Sequence, residues 1–255
     1  MTSSFPLIHE LPSMLNTTGW QWELHDTPAP HSKSFWLATD NNGCKWITKL
    51  RGSFRGYREL VFARLAQRLG WSCQSTVFAK LDSAAIKLFE INGLEWYQPM
   101  HWFMPEHSGN CANRDCPIEF LARRPIKSIA NIANIPISHL LDWPRSEFAA
   151  CLFGGNEPPG RFITTSHEFV IIDSELMFST GPSSLSDTSW WRNEDGSPSR
   201  EGYNLAYEIC NEVARLTNPD LDEILKIPDG VTIEQKWDIS LKLHASHKFA
   251  ENFVI

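Results

Sequence analysis

The chain has 255 residues, 42% of them apolar and 21% charged, which is ample material for one large domain or two lobes sharing an interface. Its net charge of -7 leaves no general basic field to hold nucleic acid or an anionic membrane, although a small basic site remains compatible with it. No run approaches a membrane span, the start MTSSFPLIHELPSML lacks the pattern of a signal peptide, and six scattered cysteines suit reduced thiols, so a soluble cytoplasmic protein is expected.

In chain order, SFWLAT and CKWITKL are rich in aromatic and β-branched residues, and DNNG lies between them. That pattern predicts a hairpin. RELVFARLAQRLG changes period: Phe62, Leu65, Ala66 and Leu69 fall on one helical face, and Gly70 is placed to end the helix. STVFAKL and AAIKLFEI then read as further strands, with Asn92 and Gly93 marking a turn. Hairpin, helix and more strands describe an α+β lobe on an antiparallel sheet.

From residue 106 the chain enters a polar loop, then becomes helical through SIANIANI and SHLLDWPRSEFAACLF. A short β hairpin, GRFITTSHEFVIID, interrupts the helices, and a long polar loop follows it. YNLAYEICNEVARL is amphipathic, with Ala206, Ile209, Val213 and Leu216 on one side. Asn218 reads as a cap followed by proline at the first helical position, and Thr232 with Gln235 as a capping box for a last helix carrying Trp237 and Leu241. The expected architecture is an N-terminal extension (1–19), a β-rich lobe with one helix (20–104) and a mainly helical lobe (105–255) with a cleft between the lobes.

Lys49 shares a strand face with Ile47, so it either escapes to solvent at the sheet edge or meets an anionic partner. Glu59 stands at the start of the predicted helix, on the margin of its apolar face. It serves either the helix dipole or that lysine. A strand lysine, the glycine-containing loop RGSFRG and a helix glutamate match the lysine–glutamate ion pair of protein-kinase folds, in which the lysine contacts nucleotide phosphates. Asp173 ends the apolar strand FVIID, which delivers a carboxylate beyond the packed layer, where it either caps a turn or holds magnesium.

With these parts in this order, WITKL…RELVFARLAQRLGW resembles the strand–helix unit of the HipA-like kinases, bacterial relatives of the phosphoinositide-kinase branch. GGNEPPGRFITTSHEFVIID is similar to their catalytic-loop and metal-aspartate hairpin. The resemblance implies a bilobal protein-kinase-like fold, ATP with magnesium, serine or threonine phosphorylation, and membership of toxin–antitoxin or defence-type modules. The sequence departs from the family in its loop. The family's loop reads roughly Asp-Arg-x-x-x-Asn. Aligning PPG with the family's turn puts Asn156 at the aspartate position and Arg161 at the asparagine position. No aspartate occurs between Leu152 and Ile172, and Glu157 and Glu168 are the only carboxylates there.

An asparagine orients a hydroxyl but takes no proton, a loss that typically costs ~10²–10⁴-fold in rate. Arg161 repels a metal, yet it can contact phosphate in place of a second cation. In place of a glycine-rich loop the chain has TPAPHSKSF, in which Ser32, Lys33 and Ser34 are the phosphate-contact candidates. His101, His107, Cys111 and Cys116 have ligand chemistry suited to zinc, but their spacing matches no common finger.

The leading expectation is an ATP-binding pseudokinase acting as a regulatory or antitoxin-like partner of another protein. An active phosphotransferase with a rebuilt site is the alternative, and a nucleotide-free interaction module the third. The module leaves Lys49 and Asp173 without a purpose.

Overall fold

The structure, a computed structural model, describes residues 14–24, 35–43, 45–49, 53–73, 76–91, 100–105, 142–155, 159–163, 169–172, 174, 176–185, 193, 195, 197, 199–227 and 231–253. It is a mixed α and β chain. Strands β1 (Met14–Asn16), β2 (Gln21–Leu24), β3 (Phe35–Thr39) and β4 (Lys45–Lys49) precede helix α1 (Ser53–Arg68). Strand β5 (Val77–Lys80), helix α2 (Ser83–Ile91) and strand β6 (Met100–Pro105) follow. Helix α3 (Asp142–Leu152) leads to the hairpin β7 (Gly160–Ile163) and β8 (Phe169–Ile172). The chain ends in α4 (Arg200–Ala214), α5 (Asn218–Ile224) and α6 (Ile233–Glu251).

One six-stranded sheet has the order β1-β5-β6-β4-β3-β2, and β7-β8 is separate. The β3–β4 hairpin falls where the aromatic and β-branched runs predict it, with Leu37 opposite Ile47. Its turn is tied by Asp40, whose carbonyl accepts from Gly43 N at 2.9 Å and whose carboxylate accepts from Trp46 Nε1 at 3.1 Å. All pairs are antiparallel except β1 with β5. Strand β1 lies inside residues 1–19, so the sheet starts earlier than the expected first lobe. Thr17 anchors it, donating to Lys80 O and accepting from Asp82 N, each at 3.0 Å.

The sheet has two covered faces. Ala38, Trp46, Val77 and Ala79 join Leu81 and Ala85 in a small cluster on one side, against which Trp20 and Trp22 stack. Phe78, between Val77 and Ala79, points to the other side and enters the main core with α1, α3, α4, α5 and α6. Helix α1 is buried almost all round, from Tyr57 through Leu60, Val61, Phe62 and Ala63 to Leu65 and Ala66. The helix also carries four arginines, and its burial comes from packing between the sheet and the C-terminal helices. Gly70, at φ +74, ends it as expected.

Three local expectations are corrected. AAIKLFEI is helical, within α2, not a strand: Asp82 Oδ1 accepts from Ala85 N at 2.8 Å, and Ala85 and Leu88 pack at helical spacing. RGSFRG is not a connecting loop throughout, because α1 begins at Ser53 and its SFRG forms the first turn. The cap of α5 is Thr217 rather than Asn218: Thr217 and Asp220 form a reciprocal capping box, which places Asn218 and Pro219 inside the first turn. The capping box at Thr232 and Gln235 is present as read. The apolar side of α4 is buried at Ala206, Ile209 and Val213, and Leu216 just beyond it is buried as well. On α6, Ile233, Trp237 and Leu241 remain exposed.

Among the described residues no helix is long and apolar enough to cross a membrane.

Candidate functional site

Sheet register fixes where Lys49 stands. Thr48 is opposite Phe103, and Phe103 is opposite Val77, so position 48 shares the face of Val77 and Trp46. Position 49 therefore lies on the opposite face, that of Phe78. That is the side of the main core, and α1 packs there against β6, the neighbour of β4. Phe35, the residue after Ser34 in sequence, pairs with Lys49. Ser32, Lys33 and Ser34 themselves lie outside the described residues.

Glu59 is 1% exposed, in the second turn of α1. The dipole alternative does not hold, since the first turn contains no acidic residue. A carboxylate sunk this deep costs several kcal/mol unless a cation or hydrogen-bond donors hold it, so burial here calls for a built environment. Position 49 thus lies on the side of the sheet where α1 packs, and α1 carries the buried Glu59.

The hairpin is attached to the same helix. Ile171 N donates to Ser72 O at 2.9 Å, and Cys73 and Ile171 form a parallel bridge. Strand β8 is thus stitched to the segment that leaves α1. Arg161 pairs with Ile171, two residues before Asp173. Asn156 and Asp173 lie outside the described residues, as do His107, Cys111 and Cys116; His101 is on β6. Among the described residues no group of three or more His, Cys, Asp or Glu is placed to hold a metal ion.

Both ends of the hairpin are braced on each other. Phe178 N donates to Phe153 O at 2.7 Å and Thr180 N to Gly154 O at 2.9 Å. Gly154 has φ +63, and a Cβ there would meet Thr180 O at 2.1 Å, so only glycine allows the approach. Phe178 is itself at φ 57, a left-handed backbone that a bulky residue keeps only where its surroundings over-determine it. Its ring is buried and packs on Phe153, with centroids 5.9 Å apart.

The polar residues of α1 are used for anchoring. Tyr57 Oη donates to Leu225 O at 2.7 Å, and Arg64 Nη1 donates to Ile224 O at 3.3 Å and Lys226 O at 2.6 Å, satisfying carbonyls at the end of α5. Arg68 pairs with Asp220. Burial pushes the Tyr57 phenol well above its ordinary value, so it stays a donor. Burial also lowers the Arg58 guanidinium from its ordinary value; Asp238 on α6 opposes that shift and Arg55 adds to it. At the far end, Trp71 donates to Glu212 at 2.8 Å and lies under Arg145 at 5.7 Å.

Sequence reasoning singled out Lys49, Glu59 and Arg161 but passed over Tyr57, Arg58, Gly154 and Ser179. The glycine doublet at 154–155 was the available signal. Nothing local marks Ser179.

No family model matches the chain, and no curated protein does. Its fold is similar to that of a solved structure, the Helicobacter pylori proinflammatory kinase CtkA. The TM-score is 0.54 and the identity 9%, over 93% of this chain and 98% of that one. At that identity the likeness concerns the fold alone, and the fold it suggests is kinase-like.

Proposed function

We propose that this chain is a bilobal, HipA-like kinase-fold protein that binds ATP with magnesium between the sheet and the helices. In this proposal its altered loop makes it a pseudokinase, the regulatory partner of another protein in a bacterial toxin–antitoxin or defence-type module. The observation that supports the proposal is that position 49 falls on the face of the sheet where α1 packs, while α1 carries a deeply buried Glu59. A scaffold with no nucleotide has no need of Lys49 or Asp173. The kinase-like fold of CtkA supports the same arrangement.

Within it, Lys49 contacts the phosphates and Glu59 fixes the lysine's position. Ser32, Lys33 and Ser34 cover the phosphates from the start of β3. Asp173, at the end of β8, holds magnesium, which when bound neutralises charge on the phosphates. Asn156 orients a hydroxyl without accepting its proton, and Arg161 contacts phosphate. A second possibility is an active serine or threonine phosphotransferase in which the Arg161 cation replaces a second metal.

The test is thermal stabilisation by ATP with and without magnesium, run beside γ-phosphate transfer. Magnesium-dependent stabilisation that vanishes in Asp173→Ala, with no transfer, supports the pseudokinase. Transfer that is lost in the same variant supports the enzyme. Absence of any shift with ATP, at any magnesium level, refutes the nucleotide site.

A further inference from the structure

Arg58 precedes Glu59 on α1 and is half-buried. Its Nη1 donates to Ser179 Oγ at 3.1 Å, and Ser179 Oγ donates to Leu176 O at 2.5 Å. Both acceptors belong to the turn that follows Asp173. That turn is held from within by Met177 N donating to Ser174 O at 3.0 Å, and from the α3 end by the bonds from Phe178 and Thr180 to Phe153 and Gly154. Ser174 is buried, and Phe178 keeps its left-handed backbone. The turn is therefore a stiff body, and Arg58 attaches it to the helix that carries Glu59. Arginine suits the place: its planar fork reaches the serine while its charge faces Asp238 on α6.

We propose that Arg58 and Ser179 form a positioning pair that sets the turn after Asp173 against the helix carrying Glu59. The metal-holding and phosphate-holding ends of the site then move as one. The pair acts through its neighbours and touches neither ATP nor metal. Its role rests on the ATP assignment above.

The test is calorimetric titration of the full chain with ATP, with and without magnesium, in wild type, Ser179→Ala, Arg58→Met, Arg58→Lys and the Ser179→Ala/Arg58→Met double variant. Ser179→Ala and Arg58→Met are each expected to weaken magnesium–ATP binding about tenfold, the scale of one hydrogen bond to a charged group. Magnesium-free ATP binding stays within about twofold, and the double variant is no weaker than Arg58→Met, since both changes break one link. Arg58→Lys, which keeps the charge and loses the fork, recovers part of the loss.

Equal losses with and without magnesium would show a merely structural role and overturn the proposal, as would additive losses in the double variant. Should Arg58→Met fail to fold, Ser179→Ala alone decides. Wild-type protein that binds no ATP removes the nucleotide assignment and this role together. Wild-type binding with unchanged variants removes only the positioning pair.

Discussion

Replacing Gly154 with alanine tests whether the close approach of the hairpin's two ends is a structural requirement. At φ +63 an alanine costs ~1–2 kcal/mol for its left-handed backbone alone. The added Cβ would lie 2.1 Å from Thr180 O, 2.6 Å from Thr180 C and 2.8 Å from Gly181 O. These are backbone atoms, so the strand of chain at Thr180 must move. Movement breaks the bonds from Thr180 N to Gly154 O and from Phe178 N to Phe153 O, each worth ~1 kcal/mol net. Together these give a loss of about 3–4 kcal/mol, which in a chain of this size lowers the melting temperature by about 10 °C.

Two other glycines calibrate the result. Gly70 has φ +74 but nothing within 4 Å of its Cβ position, so Gly70→Ala pays only the backbone term, ~1–2 kcal/mol. Gly181 has open space and no positive φ, and Gly181→Ala falls within ~0.5 kcal/mol of wild type. Urea unfolding followed by circular dichroism measures all of these, with an unchanged slope confirming that stability alone has moved. If Gly154→Ala destabilises no more than Gly70→Ala, the brace is not tight and the over-determined turn after Asp173 loses its basis.

Tyr57→Phe removes the buried donor to Leu225 O and leaves that carbonyl unsatisfied, so urea unfolding is expected to show a loss of about 1–2 kcal/mol without a change in slope. Asp220 is held below the ordinary carboxylate range, chiefly by hydrogen bonds from the Thr217 backbone and side chain, with Arg68 adding to them. A depressed folded value means stability that is fully present above the unfolded value of about 4 and is lost as pH falls through the folded one. Asp220→Ala should therefore cost about 1 kcal/mol at neutral pH, the scale of a lost cap, and the gap from wild type should narrow as pH falls below the unfolded value of about 4. A gap independent of pH would show that the carboxylate charge is not what stabilises the cap.

The β3–β4 hairpin, the end of α1 at Gly70 and the caps of α6 were legible because each rests on local chemistry: turn residues, a positive-φ glycine, a threonine with its partner three residues on. AAIKLFEI was not, since a short apolar run carries no period that separates strand from buried helix. Asp82 and Ser83, ahead of that run, were the overlooked sign of a helix start. Lys49 and Glu59 stand out in the sequence because a kinase-type pair would have a fixed order of strand, helix and residue types, and the proposal rests on that order. The depth of Glu59 could not be chosen. It depends on α1 packing against β6 on one side and α5 on the other, and those elements are distant in the chain. Arg58, Tyr57 and Arg64 read as an ordinary polar helix face. In the fold they reach Ser179, Leu225 and Lys226, more than a hundred residues away. Partners at that separation leave no trace in local spacing.

The central claim is that Lys49, Glu59 and Asp173 hold ATP with magnesium, and calorimetric titration of magnesium–ATP into wild type, Lys49→Met and Asp173→Ala tests it most directly. Saturable binding by the wild type is expected, weakened at least about tenfold in each variant, the scale of a lost charge-assisted contact to phosphate. No binding by the folded wild type, or binding left intact in both variants, would contradict it.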